Sequence, residues 1–245
     1  LSVTSIWWSM KKTKEIPPTA AEIEKMKSEP LNVFSPFVDI YHAVLEMPKV
    51  MWQLFLVYLF QWYALMCFWQ NNSKSIALSV WNTTPADKMG YEKAVEWMGL
   101  IGAFGFIITF SVAFYLAKLA KKHSPKMVHF ICLLFGAISF LFFPVIQNQY
   151  VFFAVIIGYG ISWASMMGIP YLMVVSTIPK ERYGVYMGII NMMIVIPMII
   201  QNLSFGFILK HFLNNDPRLA ITFAGILLLL GSMSTLLIKV KKTTF

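Results

Sequence analysis

Residues Gly168–Asn202 read GIPYLMVVSTIPKERYGVYMGIINMMIVIPMIIQN. An apolar run gives way to a short charged turn, Pro179-Lys180-Glu181-Arg182-Tyr183-Gly184, and a second apolar run follows. Two such runs joined by so short a turn form a helical hairpin in a membrane, where the backbone must satisfy its own hydrogen bonds. Each run contains a proline, Pro170 or Pro197, and carries amides or aromatic heads where a lipid-facing helix would carry Leu and Val. Those polar groups need something other than lipid to face: a solute pathway or a neighbouring helix.

The rest of the chain follows the same pattern. Of 245 residues, 58% are hydrophobic and 13% charged, too apolar a balance for an ordinary soluble domain. Runs of about 20 apolar residues match the hydrocarbon thickness of a bilayer. They predict an all-α membrane protein with six transmembrane helices, at Val50–Gln70, Val95–Leu119, Met127–Ile146, Val151–Ile178, Val185–Leu209 and Leu219–Ile238. The net charge of +9 is not a nucleic-acid patch, because Lys and Arg sit between the apolar runs. Residues 11–49, the turn Lys118–Lys126, the turn Lys180–Arg182 and the tail Lys239–Lys242 hold 15 of the 20 Lys and Arg residues. All four fall on one side, which the positive-inside rule makes cytoplasmic. The expected setting is the cytoplasmic (inner) cell membrane, with the lipid bilayer as partner and both linker and C-terminus inside.

Residues 1–10, LSVTSIWWSM, read as the end of a preceding transmembrane helix, with an interfacial Trp pair and lysines directly after. Residues 11–48 read as a cytoplasmic linker between two bundles. Thr19 and Glu22 have capping-box spacing for a short helix at Ala20–Ser28. Ser35-Pro36 opens another, with Phe37, Ile40, Tyr41, Val44 and Leu45 on one face, and Pro48 stops it. The chain is thus expected to be the C-terminal part of a longer protein: residues 49–239 a six-helix bundle, residues 240–245 a cytoplasmic tail.

Three segments carry candidate functional groups. In the first, Trp62 and Trp69 share a helical face with Gln61 beside them. Amides hydrogen-bond paired hydroxyls and aromatic faces stack on the C–H side of a pyranose, so this set suits a sugar. The alternative for Trp69-Gln70-Asn71 is an interfacial belt at the outer end. In the fourth segment Tyr159, Trp163, Met166 and Pro170 share a face, followed by Tyr171, while Gly158 and Gly160 fit close helix packing. In the fifth, Gly184, Gly188, Asn191 and Asn202 lie along one stripe with Gln201 to one side. Asn191 has two open readings, substrate contact or an interhelical hydrogen bond.

What is missing narrows the function. No Asp or Glu lies in the middle of an apolar segment, so a proton-coupling carboxylate is expected on the other half of the protein. There is no nucleophile–base set, metal-ligand spacing or P-loop. An enzyme, a cofactor, a metal site and an ATP-driven pump are not expected. Cys67 and Cys132 lie inside apolar runs, which points away from a disulfide. Asn71-Asn72-Ser73 and Asn82-Thr83-Thr84 fit the glycosylation pattern.

Segments one to three and four to six form two three-helix units of opposite orientation, an arrangement found in transporters. Three motifs resemble a known family: Tyr58-Leu59-Phe60-Gln61-Trp62-Tyr63-Ala64 through Trp69, Gly160 to Tyr171 (GISWASMMGIPY), and Gly184-Val-Tyr-Met-Gly188-Ile-Ile-Asn191-Met with Ile194-Val195-Ile196-Pro197. They are similar to the seventh, tenth and eleventh helices of the major facilitator superfamily, in its sucrose-transporter-like and glycoside–cation symporter branch. The chain departs from plant-type members at Gln70-Asn71-Asn72, where those carry acidic residues, and at Met198, where the family has an amide. The resemblance implies a sugar symporter working by alternating access, coupled to a proton or cation and completed by an N-terminal six-helix half. It implies substrate contacts from Gln61, Trp62, Trp69, Tyr159, Trp163, Tyr171, Asn191, Gln201 and Asn202. It also implies conformational gating by Lys118, Lys121, Lys122, Lys180, Arg182 and Gly184 at the cytoplasmic turns, with Gly188, Pro170 and Pro197 in the helices. Two other functions compete: the same fold carrying an amphipathic drug or organic solute, and a membrane scaffold or sensor whose polar groups only hold helices together.

Overall fold

The computed structural model describes residues 2–12, 19, 35–175, 177–179 and 182–239. Its helices are α1 (Ser2–Lys12), α2 (Ser35–Leu45), α3 (Lys49–Trp81), α4 (Lys88–Lys122), α5 (Pro125–Phe142), α6 (Phe152–Val175), α7 (Tyr183–His211) and α8 (Pro217–Thr235). The chain forms two units, Leu1–Tyr41 and His42–Phe245. In the first, Lys11 and Lys12 of α1 place their ammonium groups 4.2 Å and 5.4 Å from the ring centres of Trp7 and Trp8, the one-turn spacing at which a cation meets an aromatic face. The capping-box helix expected at Ala20–Ser28 lies outside the described residues. The Ser35-Pro36 helix starts where expected, and Pro48, in an extended conformation, separates it from α3.

Helices α3 to α8 are all long and apolar enough to cross a membrane, six in number as the sequence predicts. The main departure is the length of α3, which runs to Trp81 and not to Gln70. The polar run after Gln70 does not end the helix: Asn71, Asn72 and Ser73 bond within it, and Ser75 is buried with its hydroxyl unpartnered among the described residues. Asn71 donates from Nδ2 to the Cys67 carbonyl one turn back at 2.9 Å, and Ser75, Ile76 and Ala77 are buried. The helix ends at Asn82, whose left-handed backbone (φ 49°) turns its N–H onto the Ala77 carbonyl. This corrects one glycosylation match: Asn71 is helical and 2% exposed, whereas Asn82 sits at an exposed cap.

The helix pairings follow the expected inverted repeat. α3 packs on α8 as α6 packs on α5; α4 packs on α6 as α7 packs on α3; and α5 packs on α8 between the two three-helix repeats. Two devices bring these helices together without a hydrophobic drive from water. Glycines remove side chains where backbones meet: a Cβ on Gly158 would lie 2.5 Å from the Phe135 carbonyl oxygen, and one on Gly160 2.7 Å from that of Gly105. Hydroxyls then cross the seams, from Thr109 to the Gly160 carbonyl (3.0 Å), Ser139 to Val155 (2.7 Å) and Ser232 to Phe130 (2.9 Å). At one end, the Lys126 ammonium donates to the carbonyls of Leu236 (3.3 Å) and Ile238 (3.0 Å) just past α8, where the helix dipole favours a cation.

α8 begins on an Asp-Pro cap. Asp216 accepts from the Arg218 amide at 2.8 Å and from its guanidinium at 2.7 Å. The guanidinium holds the Asp216 carboxyl below its ordinary range. A depressed carboxylate stabilises the fold above its unfolded pKa of about 3.9 and loses that contribution as pH falls through the folded value. Asp216→Ala should therefore lower stability by about 1 kcal/mol at neutral pH. Its melting temperature should converge on that of the parent in acid below pH ~3.9, as thermal unfolding in detergent will show.

Candidate functional site: an aromatic wall and an amide seam

Where α3 meets α6, four of the nine expected substrate residues come together. Trp163 stands edge-on to Trp62 and Trp69, with ring centres 5.9 Å and 5.6 Å away. Tyr159, one turn along α6, stacks 6.3 Å from Trp163, and the Trp69 indole N–H donates to its hydroxyl at 3.3 Å. Behind this wall Phe68 is sandwiched against Phe140 at 4.2 Å and lies 5.3 Å from Tyr159, so the tyrosine ring is held from the back. Because α3 continues to Trp81, Trp69 lies about three turns inside the helix and not at its end.

Gln61 is 0% exposed, and neither its side-chain oxygen nor its nitrogen has a hydrogen-bond partner among the described residues. The Tyr58 hydroxyl and the Trp62 indole nitrogen, within one turn of it, are also buried without partners. Each such group costs about 1–3 kcal/mol of unrecovered desolvation, so three residues within five positions of α3 carry polar atoms that call for a hydrogen-bonding guest or for water. Tyr171 donates a long hydrogen bond, 3.4 Å, to Asn191 Oδ1.

Gln201 and Asn202 behave differently. Gln201 exchanges hydrogen bonds with Gln70 at 2.9 Å and 3.3 Å, and Gln70 also donates to Asn202 at 3.0 Å. Gln201 reaches the Cys67 sulfur at 3.7 Å, and a turn away Tyr63 and Ser204 share a 2.8 Å hydrogen bond. These groups form a polar seam between α3 and α7. Gln70 was not among the expected substrate contacts, although Tyr63, Cys67 and Gln70 fall on one stripe of α3. A double-mutant cycle of Gln70→Ala with Gln201→Ala should give a coupling of about 0.6–1.7 kcal/mol in thermal unfolding, the range for interhelical hydrogen bonds in membranes. Additive effects would show that the seam contributes nothing.

The other face of α7 looks away from the bundle. Gly184, Gly188 and Asn191 are exposed there, and a Cβ on either glycine would meet nothing within 4 Å; Asn202, also exposed, lies at the edge of the seam where Gln70 reaches it. Of the expected gating residues, Lys118, Lys121 and Lys122 are exposed along the last turns of α4, and Lys180 lies outside the described residues. Arg182 pairs with Glu46, joining the α6–α7 turn to the corner before α3. Pro170 and Pro197 are buried inside α6 and α7 without ending either helix. Sequence reading passed over His129, fully buried on α5 with Nδ1 2.7 Å from the Ser165 hydroxyl and Nε2 unpartnered. Among the described residues no three His, Cys, Asp or Glu side chains converge as a metal site, and the two cysteines are buried and free.

The family model of the major facilitator superfamily matches residues 1–202. No curated protein and no solved structure gives a significant match. The match covers most of the chain and the fold supplies six membrane-crossing helices: the chain belongs to the major facilitator superfamily. It is a multi-pass membrane protein of a transporter superfamily whose members are in general not enzymes.

Proposed function

We propose that this protein is a secondary active transporter of the sucrose-transporter-like and glycoside–cation symporter branch. It moves a di- or oligosaccharide across the cytoplasmic (inner) membrane by alternating access, together with a proton or cation. The observation that carries the reading is the buried, unpartnered Gln61 amide in the same turn of α3 as Trp62, whose ring belongs to an aromatic wall. An amide with free donors and acceptors, one residue from an indole of the wall, matches the alternating hydroxyl and C–H surfaces of a sugar. No charged side chain belongs to the wall or the seam, which fits a neutral solute better than an organic ion. The exposed glycine and amide stripe of α7 is costly against lipid. It fits an N-terminal six-helix half, with the solute pathway between the two bundles and the linker and C-terminus on the cytoplasmic side.

The test is uptake of radiolabelled sucrose, maltose and lactose by cells expressing the full-length gene, with and without a protonophore. Accumulation of one sugar that the protonophore abolishes is the expected result. Protein that is folded in the membrane but takes up no sugar would overturn the reading in favour of another cargo or a scaffold role.

A further inference from the structure

Beside the aromatic wall, between α3, α4 and α6, lies a cavity of about 290 Å³. Its volume is that of roughly ten water molecules, close to the lower limit of small-molecule pockets and suited to one sugar ring rather than two. One side is aromatic, formed by Phe68, Trp69 and Tyr159. On the opposite side Gly99 and Gly102 of α4 line the cavity between Val95, Met98 and Phe106, and a Cβ on either glycine would meet nothing within 4 Å. These glycines differ from Gly158 and Gly160, which bring helices into contact. Here the missing side chains leave space.

The polar groups at the rim come from the next turn of α3. Asn72 Oδ1 accepts from the Ser73 amide at 2.6 Å and from its hydroxyl at 3.2 Å. These bonds hold the Asn72 side chain in place, while its NH₂ group has no partner among the described residues. An acyl chain filling the cavity would leave that amide unsatisfied, and no ionised side chain lines it to attract a charged ligand. An aromatic side, a fixed amide donor and a hydroxyl together fit a neutral polyhydroxylated ring.

We infer that this cavity is a second sugar-ring subsite, contiguous with the wall through Trp69 and Tyr159, which makes a two-ring glycoside the preferred cargo over a single hexose. The inference rests on the sugar-carrier reading above. The first ring lies against the wall and the second enters the cavity between the aromatic side and the α4 glycines, donating to and accepting from Asn72 and Ser73.

Competition assays on the full-length protein in cells test it. Uptake of whichever labelled disaccharide is transported is inhibited with unlabelled disaccharide and with glucose, a component of all three sugars in the panel. Gly102→Leu fills the cavity, so the preference for disaccharide over glucose, read as the ratio of inhibitory concentrations, should fall about tenfold, the equivalent of losing one good hydrogen-bonding contact. Asn72→Ala removes the donor without filling the space and should lower the same ratio severalfold, which keeps the test decisive should the leucine variant fail to reach the membrane. A ratio within twofold of the parent in both variants overturns the subsite and leaves the carrier intact. A parent that takes up no sugar overturns the carrier reading and the subsite with it.

Discussion

Gln61→Leu should yield protein that is at least as stable as the parent and takes up its sugar at least about tenfold more slowly. The two effects have separate physical origins. In the folded bundle the Gln61 amide is wholly buried with both polar atoms unpartnered. Removing an unsatisfied group and keeping its volume recovers desolvation of about 1–3 kcal/mol. Leucine, of similar size and with no polar atoms, should therefore hold or raise the melting temperature in detergent. If the amide is there to meet a sugar hydroxyl, the same change deletes a buried hydrogen bond to substrate, and about 1.4 kcal/mol corresponds to a factor of ten. Few residues give so clean a separation. A group that only holds helices together has partners, and losing it lowers stability and transport together. Gln61→Leu with normal uptake would remove the residue from the site, and with it the main support for a sugar as cargo. Trp163→Leu is a poorer probe, because its ring supports Trp62, Trp69 and Tyr159 at once, so lost packing and lost stacking would be confounded.

The order of helices was legible because charge and hydropathy alternate cleanly. Pro179 to Gly184 could be nothing but a turn between two membrane runs, and in the structure Pro125 and Pro217 stand in the first turns of α5 and α8, the latter capped by Asp216. The end of α3 was not legible. Asn71-Asn72-Ser73-Lys74-Ser75 reads as a helix leaving the membrane, and only packing shows that Ser75 and Ile76 are buried while Asn71 bonds backward to Cys67. Faces within one helix were readable from the 100° period: Trp62 with Trp69, and Tyr159 with Trp163. Partners across helices were not. Gln201 pairs with Gln70, 131 residues away, and nothing in the local pattern distinguishes an amide with a partner from one without, as Gln201 and Gln61 demonstrate. Glycine spacing has the same limit. Gly184 and Gly188 show the motif of a tight helix contact yet face open space, while Gly158 and Gly160 lie against backbone.

That contrast leads to the largest structural effect expected here. Gly158→Ala and Gly168→Ala are the same chemical change, ten residues apart on α6, and should move stability in opposite directions. A methyl group on Gly158 would sit 2.5 Å from the Phe135 carbonyl oxygen and 3.1 Å from the Ser139 Cβ. The first of these is backbone, so no rotamer change relieves it and α5 must move away from α6. Separation also strains the Ser139 hydroxyl bond to the Val155 carbonyl (2.7 Å), which crosses the same contact. Overpacking of this kind costs about 1–3 kcal/mol, more than the helix-propensity gain of about 1 kcal/mol that alanine brings. Gly168, exposed and with nothing within 4 Å of a built Cβ, collects the propensity gain without the clash. Thermal unfolding in detergent should therefore place Gly158→Ala below the parent and Gly168→Ala at or above it, with Gly158→Leu failing to accumulate as folded protein. Equal shifts for the two alanine variants would mean that α5 and α6 do not pack as closely as the Gly158 contact requires. The aromatic wall would then lose its rear support, because Phe140 on α5 stacks on Tyr159 across that same interface while its other contact is with Phe68 of α3.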